Sequence, residues 1–202
     1  GLITLNTGRN WSEGQKDVGV VRFLKDPVAE EHPRVAVQLE EILSGAKESI
    51  VVESPYLIPS RSVLELLERK ASEGVKIILL TNSLRSSDGV LPFAGYLKYR
   101  GRLVRAGIEL REYKGPDMLH AKSAVIDGRI AMVGSYNLDP RSTNLNTECG
   151  ILIDSPEFAR STVELIESGM QASNSWKLSL GCLNGPCDVA PRIQWTGHRK
   201  NA

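Results

Sequence analysis

The chain has 202 residues, a net charge of +1, 41% apolar residues and 24% charged residues. That length suits one domain of ordinary size, or one large domain with a tail, and the apolar fraction is enough for a real core, which excludes wholesale disorder. Near-zero charge argues against a partner held by bulk charge, such as a histone-like duplex binder, while a local basic patch stays open; no run of about 18 apolar residues exists, so no transmembrane helix is expected.

The sequence starts with Gly1 rather than Met and shows no signal-peptide pattern, so an incomplete or processed chain is expected. The three cysteines, Cys149, Cys182 and Cys187, are an odd count without framework spacing, which argues against a disulfide-stapled secreted fold and favours a reducing compartment. Cys182 and Cys187 flank a turn-like stretch and lack the second pair that a zinc ribbon needs.

Residues 1–16 are rich in Gly, Asn and Thr and read as a linker or lead-in. Val18 to Leu24 is a short apolar run that predicts a strand, broken by Asp26-Pro27. Val35, Leu39, Ile42, Leu43 and Ala46 recur at helical spacing. Ile50 to Val52 predicts a buried strand, followed by an extended loop around Pro55 and Pro59. A second helix is expected with Ser62 and Glu65 at capping-box spacing and Gly74 at its C-terminal cap. Val75 to Leu80 predicts a strand, Thr81 to Pro92 a polar loop, Phe93 to Ala106 a helix closed by Gly107, and Ile108 to Tyr113 a strand. This alternation implies an α/β fold, a mixed sheet flanked by helices on both faces, in one domain spanning 17–181.

Leu119 to Asp127 and Ile130 to Ser135 flank Asp127-Gly128, a strong hairpin signal. Glu148 to Ile153 predicts a further strand. Ser155-Pro156 opens a last helix with Ala159, Val163, Ile166 and Met170 on its apolar face. Trp176, Leu178 and Leu180 alternate as a final strand; residues 182–202 read as a loop-rich, truncated tail.

Chemistry concentrates between His120 and Glu148. His120 and Lys122 sit two apart in a predicted strand, so their side chains share one face. An ammonium beside an imidazole suits an anion and repels a metal. The lysine can hold a phosphate oxygen while the histidine acts as nucleophile or proton donor. Antiparallel return of the hairpin brings Ser135 and Asn137 back as neutral donors to phosphate, with Gly134 permitting close approach. Glu148 is placed to accept from the second ring nitrogen of His120. Asp127 lies at odd parity from His120 and has an ordinary turn role before Gly128. Taken singly, each residue has a bland reading: a hydrogen-bonded histidine, a solvated lysine, a turn asparagine, an edge glutamate. Together, His120, Lys122, Asp127, Gly134, Ser135 and Asn137 fit one template of fixed spacings. Chance gives that in roughly one of several hundred thousand chains of this size, with residues taken as equally frequent.

His120-x-Lys122-x4-Asp127 followed by Gly134-Ser135-x-Asn137 resembles the HKD signature of the phospholipase D superfamily, with Glu148 where that family keeps the partner of its histidine. Glu53-Ser54-Pro55-Tyr56-Leu57-Ile58-Pro59, Thr81-Asn82-Ser83-Leu84, Tyr96 to Arg102, Ala106 to Leu110 and Asn137 to Ser142 are similar to the second half of bacterial cardiolipin synthases. The resemblance implies a phospholipase D-like α/β/α sandwich and metal-free, cofactor-free phosphodiester chemistry through a phosphohistidine. Two HKD motifs are implied at one site. The catalytic set carried over is His120, Lys122, Asp127 and Glu148, with Lys122, Ser135 and Asn137 at the phosphate. His32 and His198 lack the following lysine, so the second motif is expected from a missing N-terminal half or a second copy; in the half-enzyme reading His120 is the general acid and base.

A phosphatidylglycerol-like phospholipid is the implied substrate, at the cytoplasmic side of an inner membrane as a peripheral protein. Arg100, Arg102 and Arg105 are candidates to face anionic headgroups, against the alternative of a solvated helix face. A homodimeric endonuclease of the same superfamily is the runner-up, disfavoured by neutral charge and scarce aromatics. A non-catalytic module of the same fold is the third reading.

Overall fold

The computed structural model describes residues 17–27, 34–181 and 192–196. These form β1 (Val20–Lys25), α1 (Arg34–Gly45), β2 (Ser49–Glu53), α2 (Arg61–Ser72), β3 (Lys76–Asn82), α3 (Val90–Arg105), β4 (Glu109–Tyr113), β5 (Ser123–Ile126) and β6 (Ile130–Gly134). After them come α4 (Pro140–Asn144), β7 (Cys149–Asp154), α5 (Pro156–Met170), β8 (Ser175–Gly181) and β9 (Arg192–Thr196). The strands make one mixed sheet in the order β1-β7-β6-β5-β2-β3-β4-β8-β9, in which β2, β3 and β4 are parallel and every other pairing is antiparallel.

Alternation along the strands divides the apolar residues between two cores. Ile50 and Val52 of β2, Ile77 and Leu79 of β3 and Ala124 and Ile126 of β5 pack with Val35, Leu39 and Leu43 of α1, Val63 and Leu67 of α2 and Leu103 of α3. Val51, Leu80, Val125 and Ala131 point the other way and pack under Ala159, Ile166 and Met170 of α5. Successive side chains on a strand face opposite sides, so a sheet covered on both faces needs this near-continuous apolar run. The fold is the single-domain α/β arrangement expected, with helices on both faces.

Several local details differ from expectation. The N-cap of α2 is Ser60, whose hydroxyl accepts from the Val63 amide at 3.2 Å, while Ser62 lies inside the helix and donates to Glu40 instead. The extended lead into α2 fixes the cap two residues earlier than the Ser62–Glu65 spacing suggests. At the other end Gly74, at φ +89°, lets the chain turn out of the helix as expected. β5 starts at Ser123, so His120 and Lys122 lie in an extended segment before the strand rather than within it. Arg192–Thr196, expected in a loop-rich tail, instead pairs as β9 with β8. The lead-in, Cys182, Cys187, His32 and His198 lie outside the described residues.

Candidate phosphodiester site

The parallel strands end together at Glu53, Asn82 and Tyr113. Because β5 runs antiparallel to β2, its first residue, Ser123, pairs with Glu53, and β6 returns to place Val133 opposite Ser123. The segment entering β5, the loop leaving β6 and the start of β7 therefore converge on one edge. Open α/β sheets commonly bind ligands outside the carboxyl ends of their parallel strands.

The Asp127-Gly128 hairpin creates this convergence. Both residues have positive φ, +51° and +58°, and with Arg129, whose amide donates to the Ile126 carbonyl at 3.0 Å, they make the three-residue connection between the paired Ile126 and Ile130. The four cross-strand pairs from Ser123↔Val133 to Ile126↔Ile130 then set the register. Beyond them the Gly134 amide donates to the Lys122 carbonyl at 3.2 Å.

His120 is exposed and Lys122 half-buried. The Lys122 ammonium donates to the His120 carbonyl at 2.7 Å and stands 3.2 Å from Nδ1 and 3.3 Å from Nε2 of the same imidazole. Near-equal distances put the ammonium between the two nitrogens rather than along the lone pair of either. Burial pushes the Lys122 ammonium below its ordinary pKa, opposed by the carboxylates of Glu148 and Asp139. A cation and an imidazole thus face one spot, ready for an anion. Among the described residues, no group of three or more His, Cys, Asp and Glu could hold a metal ion.

Glu148 does not meet the imidazole. Its buried carboxylate accepts from the Ser135 hydroxyl and, at 3.1 Å, from the Asn146 amide. Ser135 thereby spends its proton on Glu148, while its oxygen accepts the Cys149 amide at 3.0 Å. In this arrangement Ser135 is not the free donor to phosphate that its position predicts. Glu148 is fixed in turn by Asp26, whose Oδ2 accepts the Glu148 amide at 2.9 Å and whose amide donates to the Glu148 carbonyl at 2.8 Å. Sequence reasoning read Asp26-Pro27 only as a break; its carboxylate gave no local signal of a partner 122 residues away.

Asn137 is positioned by Ser142, whose hydroxyl accepts both its backbone amide, at 3.2 Å, and its side-chain amide, at 3.3 Å. Its Oδ1 is buried without a hydrogen-bond partner. Ser142 is held by α4, a short helix missing from the sequence reading. Asp139 caps it, accepting the Ser142 amide at 2.8 Å, and Pro140 occupies its first turn. Asp-Pro is a readable helix start, so this element had a signal. The Ser54 hydroxyl accepts the Leu138 amide at 3.1 Å, and Leu57 bridges Leu138, tying the Glu53–Pro59 segment to the same loop.

Asp127 is the residue of the pattern that the structure removes from the site. It lies at the far end of the hairpin, where its carboxylate accepts the amides of Lys47, Glu48 and Ser49 at 3.0, 2.8 and 2.9 Å. Partial burial pushes its carboxyl up, and the three amides more than reverse this, leaving it below its ordinary pKa. Its place in the catalytic set is corrected to an anchor of the turn on the α1–β2 loop.

The three candidate arginines of α3 also separate. Arg100 turns inward, where Nη1 lies 3.2 Å from the carboxylate of buried Glu112, which also accepts from the Tyr96 hydroxyl at 2.9 Å. Arg102 is paired with Glu68. Only Arg105 remains exposed with no ion pair among the described residues.

Residues 39–169 match a family model described as the cardiolipin synthase, phospholipase D-like domain. Cardiolipin synthase C of Escherichia coli is 36% identical over 187 residues, covering 83% of this chain and 37% of that protein. An uncharacterised protein of Helicobacter pylori is 33% identical over 159 residues, covering 72% of this chain and 31% of its own length. The chain thus spans about a third of the curated relatives it matches. Among solved structures, Nuc of Salmonella typhimurium, a phospholipase D family member, superposes with a TM-score of 0.63 at 20% identity, covering 79% of this chain and 98% of Nuc. The phosphatidylserine synthase of Haemophilus influenzae gives a TM-score of 0.62 at 16% identity over 76% of this chain and 39% of that one. At these identities the structures speak for the fold alone.

Proposed function

The chain belongs to the cardiolipin synthase, phospholipase D-like domain family, and on that premise we propose that it is one half of a two-motif phosphodiesterase or phosphatidyltransferase acting on a phosphatidylglycerol-like phospholipid. The observation that carries this reading is the Lys122 ammonium held against the His120 imidazole at the carboxyl edge of the sheet. Lys122 neutralises a non-bridging phosphate oxygen, and Asn137 donates its amide to the same phosphate. The histidine of a second motif, from another half or another copy, attacks phosphorus: the P–N bond forms as the P–O ester bond breaks. His120 gives its proton to the leaving alcohol oxygen. It then takes the proton of the incoming alcohol or water as that oxygen attacks phosphorus and the P–N bond breaks. One imidazole cannot be bonded to phosphorus and shuttle this proton at once, which is why two are needed.

Glu148 acts here through Ser135, fixing the loop that carries Asn137. It becomes a partner of the His120 ring only if the imidazole swings off the Lys122 ammonium when phosphate takes that cation. No metal or other cofactor enters these steps. No helix among the described residues is long and apolar enough to cross a membrane; in this reading lipid is met from the surface.

The test is an assay of the longest natural chain carrying this sequence, against phosphatidylglycerol vesicles and single-stranded DNA in parallel. Release or transfer of a phosphatidyl group without DNA cleavage supports the reading. DNA cleavage with no lipid turnover moves the same site to a nuclease, and inactivity on both with intact binding of lipid supports a module without catalysis.

A further inference from the structure

The loop after β3 and the first turns of α3 expose an apolar surface beside the site. Leu84, Val90, Leu91 and Leu97 are 57%, 71%, 85% and 42% exposed. Val90 and Leu97, seven apart, share one face of α3, and Leu91 stands beside Val90 in its first turn, while Tyr96 and Leu103 of the same helix are buried. Arg85 and Lys98 are exposed among them, and neither is held in an ion pair among the described residues. Asp88, the sole acid between residues 84 and 98, turns its carboxylate to the Tyr56 hydroxyl at 2.7 Å. Burial and this contact push the Tyr56 phenol up to about 12, so the carboxylate keeps its donor across the physiological range.

This surface sits on the same edge as His120. Asn82, just before the loop, accepts the Leu119 amide at 3.0 Å and donates to the Leu119 carbonyl at 2.9 Å, locking the loop to the residue preceding His120. The Ser86 hydroxyl bonds the Tyr113 carbonyl at 2.8 Å, so the loop is fixed to the end of β4.

We propose that Leu84, Val90, Leu91 and Leu97 insert into the interfacial layer of an anionic bilayer while Arg85 and Lys98 meet its phosphates, docking the catalytic edge on the membrane. Apolar side chains interleaved with cations that have no ion pair among the described residues are what an anionic lipid surface complements. The inference rests on the phospholipid reading above and adds the surface by which lipid is approached.

Vesicle flotation tests it without any need for turnover. The longest natural chain carrying this sequence is mixed with vesicles of phosphatidylglycerol and phosphatidylcholine, or of phosphatidylcholine alone. Binding to the anionic vesicles is expected, reduced at least about tenfold, or ~1.4 kcal/mol, by Val90→Ser with Leu91→Ser and by Arg85→Glu with Lys98→Glu. Leu165→Ser, 73% exposed on α5 across the sheet, leaves it unchanged. Loss with the charge pair alone, equal loss with Leu165→Ser, or no binding by the parent chain overturns the proposal. So does a parent dimer that Val90→Ser with Leu91→Ser converts to monomer, which assigns the face to a second copy. Turnover of a short-chain phosphatidylglycerol dissolved below its micelle concentration, measured in the longest natural chain, separates the two claims. Normal soluble turnover with vesicle binding indifferent to the patch refutes docking alone, whereas absent soluble turnover refutes the function.

Discussion

The Asp127 carboxylate accepts the Ser49 amide at 2.9 Å, joining the tip of the β5–β6 hairpin to the first residue of β2 across 78 positions of chain. With the Lys47 and Glu48 amides it closes a three-amide cap at the end of the sheet remote from His120. Asp127→Ala is therefore expected to cost stability, about 1–2 kcal/mol as for a lost helix cap, with KM nearly unchanged in the folded fraction. The folded pKa lies below the unfolded one, so this stabilisation is complete above the unfolded value of 3.8 and is lost as pH falls through the folded value. Acid unfolding followed by circular dichroism should show Asp127→Asn missing that part of the acid sensitivity. A variant with normal stability and abolished turnover would return Asp127 to the catalytic set.

Lys122 carries the opposite balance. Burial lowers its pKa, so at neutral pH the charged folded state bears a cost that the unfolded state does not, and the cost is relieved only as pH rises toward the unfolded value. Lys122→Met should melt no lower than the parent while reducing turnover by on the order of 10² to 10³, the usual loss for one donor on developing charge. Lys122→Arg should not rescue it, because the planar guanidinium cannot occupy the point between Nδ1 and Nε2 of His120. Thermal melts and steady-state rates check both.

Gly134→Ala should damage fold and site together. A Cβ there would stand 2.3 Å from the Cys149 carbonyl oxygen and 2.7 Å from the Gly150 Cα, both backbone atoms that cannot rotate away. β6 and β7 must part, at a cost of ~1–3 kcal/mol or more, and Ser135 moves off Glu148. Loss of amide-exchange protection confined to β6 and β7, with reduced activity, is the expected signature.

How much was legible follows from how local each signal is. The near-continuous apolar runs of β2, β3 and β5 and the apolar stripes of α1 and α5 reveal both cores, because burial on two faces writes itself into run length and burial on one into period. Asp127-Gly128 marks the hairpin because its turn tolerates few residues. Likewise the spacing of His120 and Lys122 predicts their shared face even though β5 begins only at Ser123. What stayed hidden are partnerships set by tertiary approach. Glu148 looks free to reach His120 until Ser135 is seen to take its oxygen, and Arg100 looks like its exposed neighbours until Glu112 is seen beneath it. The Asp26–Glu148 link spans elements whose order in the sheet, β1 beside β7, no local pattern encodes.

Arg100 and Arg102 should part company under mutation. Arg100→Met takes a cation from beside the buried carboxylate of Glu112, 2% exposed, and removing one partner of a buried pair typically costs ~3–5 kcal/mol. Glu112→Gln in the same chain should recover much of that loss. Arg102→Ala, on the solvent side of α3 with Glu68, should barely move the melting temperature. Urea denaturation of the four proteins, parent included, separates them.

Turnover of a phosphatidylglycerol substrate by the longest natural chain carrying this sequence, as parent and as His120→Ala, both in EDTA, tests the central claim most directly. The account predicts full parental activity with the chelator present and a loss of at least about 10² to 10⁴ on removing the imidazole, the range of a positioned acid–base group. Near-parental turnover by His120→Ala, or a parent silenced by EDTA and restored by a divalent ion, would contradict it.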